Sequence, residues 1–280
     1  MPNGIQRGMH VPAAAFDVSP SAMAITLWQF RLASTPNSCP RIMNEPTPNS
    51  RPETWQAPGA SLASLASRPC LRNAWLSALA CLVLALAAIP WIDRPVVDFV
   101  HVHTQGTRWI ERVAELPSPL FVLAWPTFVI VGVVFVWRRQ LPAWAATVWL
   151  AAGAVGVGSV LKQGLKFVFG RTWPATWIHE NPSYLRDGVF EFRLLGGDGA
   201  AYASFPSGHL TVMLAFATVL ALRHRVLRWP CAVAVALTGF GQIAAAYHWT
   251  SDALAGAALG IAVGAAFVAA WQRWGSRPGA

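Results

Sequence analysis

Six long apolar runs constrain this chain more than anything else in it: Ala74–Ile92, Pro119–Trp137, Pro142–Leu161, His209–Leu222, Cys231–Tyr247 and Ala253–Trp271. A helix needs roughly 20 mostly apolar residues to cross a bilayer, with a range of about 17–25. The first, second, third and sixth runs meet this. The fifth is at the lower limit, and the fourth needs Phe205 and Pro206 at its start and a snorkelling Arg223 at its end. Helices satisfy their own backbone in lipid. The pattern therefore predicts an all-α fold: a six-transmembrane-helix bundle over residues 71–275, with an extracytoplasmic loop between helices 3 and 4. Pro126 interrupts the second run and is expected to kink it.

Of the 280 residues, 55% are hydrophobic and only 12% are charged, which is too apolar for a soluble domain. Fifteen Trp suit a protein with two membrane–water interfaces to anchor. A formal charge of +9 ordinarily suggests nucleic acid as a partner. Here the basic residues sit in short loops instead: Arg68 and Arg72, Arg138 and Arg139, Arg223 to Arg228, Arg273 and Arg277. All four groups fall on one side of a six-pass topology, so orientation in a bilayer explains the charge better than nucleic acid, no nucleic-acid partner is expected, and both termini are expected in the cytoplasm. The loop 162–208 is expected on the opposite side, yet it holds Lys162, Lys166, Arg171, Arg186 and Arg193. Basic residues on the disfavoured side point to an anion. The same loop carries turn signals at Gly170, Pro174 and Gly196-Gly197, and Trp173 and Trp177 are expected at the interface.

Residues 1–70 are rich in Pro, Ser, Asn and Ala and contain no long apolar run. They read as a disordered cytoplasmic tail. Met23 and Met43 are alternative starts. The four cysteines show no close-spaced pair and give no metal site.

The chemistry lies around Ser204-Phe205-Pro206-Ser207-Gly208-His209, directly before the fourth run. A Ser-Gly-His turn at a helix start offers backbone N–H groups, a hydroxyl and an imidazole, the parts needed to hold a phosphate and protonate a leaving group. His248 ends the fifth run, Asp252 follows four residues later, and Lys166 and Arg171 precede the turn. Phosphoester cleavage without metal requires fixed cations and N–H donors, a nucleophile, an acid, and a carboxylate that orients the nucleophile. The topology brings one residue of each kind to the same face.

These motifs resemble those of the type 2 phosphatidic acid phosphatase superfamily, membrane enzymes related to vanadium haloperoxidases. Its three motifs are Lys-x6-Arg-Pro, Pro-Ser-Gly-His and Ser-Arg-x5-His-x3-Asp. The second stands intact at Pro206–His209. The third keeps His248-x3-Asp252, and the first appears as Lys166 to Pro174. The resemblance implies that His248 is a nucleophile forming a phosphohistidine, that Asp252 holds its other ring nitrogen, and that His209 is the general acid and later the base. It also implies that Lys166, Ser207 and the Gly208 N–H cradle the phosphoryl oxygens, with no cofactor and no divalent metal.

Two departures stand out. Trp173 occupies the place of the first motif's Arg, and Gly241-Gln242 the place of Ser-Arg in the third. Arg171, two residues away, is a candidate replacement phosphate ligand, and Gln242 still offers N–H donors but no charge. The sequence is thus read as an integral membrane phosphatase of a lipid-linked phosphate. It is expected in a bacterial inner membrane with its site facing the periplasm. A lipid phosphotransferase using the same intermediate, and a catalytically retired lipid-phosphate binder or transporter, stay open. The oligomeric state and the particular lipid are not legible.

Overall fold

The computed structural model describes residues 69–104, 106–138, 140–177, 180–197 and 199–274. The tail expected over residues 1–70 falls almost wholly outside these described residues. The helices are α1 (Pro69–Trp91), α2 (Asp93–His103), α3 (Arg108–Ala114), α4 (Ser118–Arg138), α5 (Ala143–Val168), α6 (Tyr184–Asp187), α7 (Gly208–Arg223), α8 (Arg228–Ala244) and α9 (Thr250–Trp274). Five segments are long and apolar enough to cross a membrane: α1, Arg108–Arg138 (α3 with α4), α5, Arg225–Ala244 (α8 with its leading turn) and α9. This is a multi-pass membrane protein. At 16 residues, α7 spans about 24 Å at 1.5 Å per residue, short of a hydrocarbon core of about 30 Å.

The fold is mostly helical but not all-α. Strands β1 (Phe169–Arg171) and β2 (Phe192–Leu194) pair antiparallel, with Gly170 opposite Arg193. Residues 93–114, which hold no apolar run long enough to mark a membrane helix, form α2 and α3. Pro126 sits inside α4, which remains one element. Helix α5 runs seven residues past the apolar run that marks it, so Lys162 and Lys166 are helical.

Helices α7 and α9 pack through small residues. A Cβ on Gly260 would lie 2.4 Å from the Thr211 carbonyl oxygen, and one on Gly256 would lie 2.5 Å from that of Ser207. Close backbone approach of this kind is what small residues four apart permit where lipid supplies no hydrophobic drive. It locks the start of α9 against the start of α7. The outer helices face away from this core: Leu79, Leu86, Val122, Val133 and Val136 are exposed along α1 and α4. In water such faces would be a liability; in a bilayer they meet acyl chains.

The segment between α5 and α7 folds over one end of the bundle rather than hanging free. Arg171, Thr172, Trp173 and Ala175 are all buried. Trp173 is therefore a core residue and not the interfacial anchor expected of it, while Trp177 remains exposed. A Cβ on Gly197 would fall 2.0 Å from the Lys166 carbonyl oxygen, so only glycine lets the returning chain cross the end of α5 so closely.

Candidate active site

Asp252 is the centre of the buried polar cluster at that end. It is the third residue of α9 and fully buried. One carboxylate oxygen accepts from the Trp249 N–H at 3.2 Å, a reach back to the residue before the helix that satisfies an orphan amide. The same oxygen accepts from the Ser204 hydroxyl and lies 3.4 Å from His248 Nδ1. The other accepts from Arg171 Nη1. The Ser207 N–H in turn donates to the Asp252 carbonyl at 3.0 Å, tying the Pro-Ser-Gly-His turn to α9.

His248 is held by both neighbours. Its N–H donates to the Gln242 carbonyl at 3.1 Å, across a turn in which buried Ala246 takes the left-handed φ of 54°. A non-glycine residue there costs about 1–3 kcal/mol, strain that persists only where the surroundings over-determine it. With Nδ1 directed at Asp252, the ring's Nε2 carries the lone pair. Burial pushes the imidazole down to about 4, against the pull of Asp252 and helped by Lys166 and His209, whose charges oppose its protonation. His248 is therefore neutral near pH 7, the state a nucleophile needs.

His209, the second residue of α7, lies with Nε2 3.3 Å from Glu115 Oε2 and its ring edge-on to Phe121 at 5.3 Å. Ser207 caps the helix, accepting from the Leu210 N–H at 3.5 Å. The amides of Gly208 and His209 belong to the first turn, which has no intrahelical acceptor. Two lysines one turn apart on α5 reach the same region. Lys166 Nζ donates to the Ala203 carbonyl at 2.5 Å and lies 5.4 Å from the Trp173 ring. Lys162 Nζ lies 4.4 Å from the Phe121 ring, and a Cβ on Gly208 would come within 2.7 Å of it. Lys162, one of the basic residues noted in the sequence, thus stands beside the Ser-Gly-His turn.

The two candidates for the vacant arginine roles are spent elsewhere. Arg171 is buried, with Nη1 donating to Asp252 and to Ser251 Oγ (2.7 Å) and Nη2 donating to Asp93 Oδ2 (2.7 Å). Its guanidinium is flanked by Phe192 at 4.5 Å and by Phe190 and Trp249 at 5.1 Å. Gln242 Nε2 donates to the Ala114 carbonyl at 2.8 Å, and its buried Oε1 has no partner. A Cβ on Gly241 would lie 2.5 Å from the Ala114 N. The pair Gly241-Gln242 thus forms a dock for the end of α3: the glycine admits its backbone and the amide ties it. Arg186 pairs with Glu180 and Asp187, and Arg193 with Glu191, all at the loop surface.

Asp93 and Glu115 were not singled out by sequence reasoning, and Lys162 was named there only among the basic residues of the loop 162–208. Acidic residues number only 12 in the chain, and one placed directly after an apolar run was the signal available for Asp93. Among the described residues, no group of three or more His, Cys, Asp or Glu is placed to hold a metal ion.

Fold and site together define a helical membrane protein with a buried His–Asp pair and a cluster of cations at one end of its bundle. Residues 144–276 match the PAP2 superfamily, so the resemblance carried by the motifs holds across the segment that contains them. Among curated proteins, the chain is 38% identical over 68 residues to the undecaprenyl-diphosphatase BcrC of Bacillus subtilis, covering 24% of this chain and 35% of that protein. It is 40% identical over 81 residues to a lipid A 1-phosphatase of Porphyromonas gingivalis (28% and 18%). It is 39% identical over 83 residues to a lipid A 1-phosphatase of Rhizobium etli (28% and 34%). The aligned segments thus span about a third or less of these relatives. A solved PAP2-type phosphatidylglycerolphosphate phosphatase from Bacillus subtilis aligns with a TM-score of 0.47 and 19% identity, covering 74% of this chain and 98% of that one.

Proposed function

We propose that this protein is a membrane phosphatase that hydrolyses a lipid-linked phosphate monoester or pyrophosphate through a phosphohistidine, without a metal. The observation that carries this reading is the contact of His248 Nδ1 with buried Asp252, which leaves Nε2 as the ring's nucleophilic atom. In the first step Nε2 attacks the terminal phosphorus, and its P–O bond to the lipid oxygen of a monoester, or to the bridging oxygen of a pyrophosphate, breaks. His209 gives its proton to the departing oxygen, and Asp252 stabilises the imidazolium. In the second step water attacks phosphorus, His209 takes the water's proton, the P–N bond breaks and orthophosphate leaves. Lys162, Lys166 and the first-turn amides of α7 are assigned to the phosphoryl oxygens, where preorganised charge and N–H donors count most. Arg171 is assigned to holding Asp252, and Gln242 to docking α3.

The substrate class follows from depth. A site at helix ends in a multi-pass protein meets amphiphiles whose phosphate lies at the headgroup level. The relatives named for undecaprenyl diphosphate and lipid A 1-phosphate fall in that class. Six crossings, with α7 as a short one, cytoplasmic termini and a site facing the periplasm of a bacterial inner membrane complete the reading. The catalytic unit is the helical domain of residues 71–275.

The test is phosphate release from a panel of lipid phosphates in detergent with EDTA present. His248→Ala is expected to abolish release, and His209→Ala to lower kcat by about 10²–10⁴-fold. Equal rates in wild type and both variants would overturn the mechanism. They would favour a lipid-phosphate binder or transporter, which the loss of both family arginines supports.

A further inference from the structure

Asp93 is the first residue of α2, more than 150 positions before the helix it serves and outside the segment 144–276. It is fully buried. Its Oδ1 accepts from the Ser251 N–H at 2.9 Å, and its Oδ2 accepts from the Ser251 hydroxyl at 2.5 Å and from Arg171 Nη2 at 2.7 Å. Arg171 therefore lies between two buried carboxylates, Asp93 and Asp252. Burial raises the Asp93 carboxyl above its ordinary value, while Arg171 and Ser251 pull it back down. At neutral pH, with both carboxylates ionised, Asp93, Arg171 and Asp252 carry one net negative charge next to His248.

We infer that Asp93 is a positioning residue of the phosphoryl-transfer site, which through Arg171 and Ser251 fixes the Asp252 carboxylate and leaves it the net negative charge that a phospho-imidazolium on His248 requires. The inference rests on the function proposed above. An Asp252–Arg171 pair alone would be close to neutral and would offer little to a developing cation. A second carboxylate on the far side of the guanidinium restores the imbalance and accepts from its Nη2. A buried ion pair is weak evidence for stability, since burying the charges offsets much of their attraction. Three charges and two serines sequestered behind one histidine are better explained by what they do to it. The groups that face His248 are Asp252 from α9, Lys166 from α5 and His209 from α7. Those that face Asp93 are Arg171 from β1 and Ser251 and Asp252 from α9. Removing the Asp93 charge makes the imidazolium form of His248 less favourable, so its proton is lost at a lower pH and the intermediate is less stabilised.

The experiment compares wild type, Asp93→Asn, Ser251→Ala and His248→Ala in full-length protein, following phosphate release from a short-chain phosphatidic acid in detergent against pH. Asn retains an acceptor for the Ser251 N–H but not the charge. Asp93→Asn is expected to lower kcat at least ~10-fold, about 1.4 kcal/mol of barrier, with KM within about threefold. It should also move the acid limb of the profile to lower pH. Ser251→Ala removes hydroxyl bonds but no charge and should leave that limb in place. An unmoved limb and wild-type kcat in Asp93→Asn, or an equal movement in Ser251→Ala, overturns the inference. If Asp93→Asn does not fold, Asp93→Glu is measured in its place: it keeps the charge, so lower kcat with an unmoved limb supports the inference and a moved limb overturns it. Release that survives in His248→Ala would instead overturn the phosphohistidine reading itself.

Discussion

The ring of Trp173 lies 5.1 Å from that of His248, at the position where the resembling family carries an arginine. The indole is buried, donates its N–H to the Ala200 carbonyl at 2.8 Å, and meets Trp177 edge-on at 4.9 Å. Where that motif has a cationic donor this chain has an apolar wall, and the imidazole beside it is desolvated.

That wall is structural, and its loss is measurable. Trp173→Ala is expected to lower stability by about 3–5 kcal/mol, the usual cost of deleting a buried large aromatic side chain. Trp173→Phe keeps a ring against His248 and strands the Ala200 carbonyl, for a cost of about 1–3 kcal/mol. Thermal unfolding in detergent separates the two; equal melting temperatures for both variants would contradict the packing role.

The pH profile follows from the same burial. Desolvation pushes the His248 imidazole down to about 4. Its neutral form is the nucleophile, so activity is gained as pH rises through about 4 and lost as pH falls below it. The acid limb of kcat/KM for phosphate release is expected near that value. A limb near 6.5, the ordinary histidine range, would mean that the ring is solvated in the working enzyme.

Helix α9 tolerates side chains unevenly. Gly260→Val drives a branched side chain into the Thr211 backbone and should destabilise the protein strongly, because a Cβ there already lies 2.4 Å from an oxygen that cannot move alone. Gly164→Ala, with nothing within 4 Å, is expected to be neutral or to stabilise α5 by up to about 1 kcal/mol. Unfolding in detergent gives the comparison, and similar melting temperatures would refute the close packing of α7 on α9.

Gln242→Arg does not restore the family's chemistry. The side chain is buried and its amide holds the Ala114 carbonyl. A guanidinium there must displace the end of α3, an overpacking worth about 1–3 kcal/mol. Lower stability with no gain in kcat/KM is expected; a rise in kcat/KM would show that the position still faces phosphate.

Much of this was open to a reader of the chain. Apolar runs mark membrane helices because lipid forces each segment to satisfy its own backbone, and five of the six runs lie in helices long enough to cross. His248 and Asp252 are four residues apart, His248 in the turn that leads into α9, so their contact is local in the sequence. The glycines at 256, 260 and 264 announced close packing in the same way. Helices α2 and α3 are too short to leave a long apolar run, and the pairing of β1 with β2 lies inside a loop full of turn residues.

The sequence by itself determined the membrane helices, the His-x3-Asp pair and the Ser-Gly-His turn, because each depends on residues within a few positions of one another. Only the tertiary structure decided what the isolated polar and charged side chains do. Arg171 reaches Asp93 and Asp252 across about 80 residues each, and Gln242 reaches Ala114 across 128. A charge removed from water takes whichever opposite group the packed helices bring within hydrogen-bond reach, and no pattern along the chain encodes that choice.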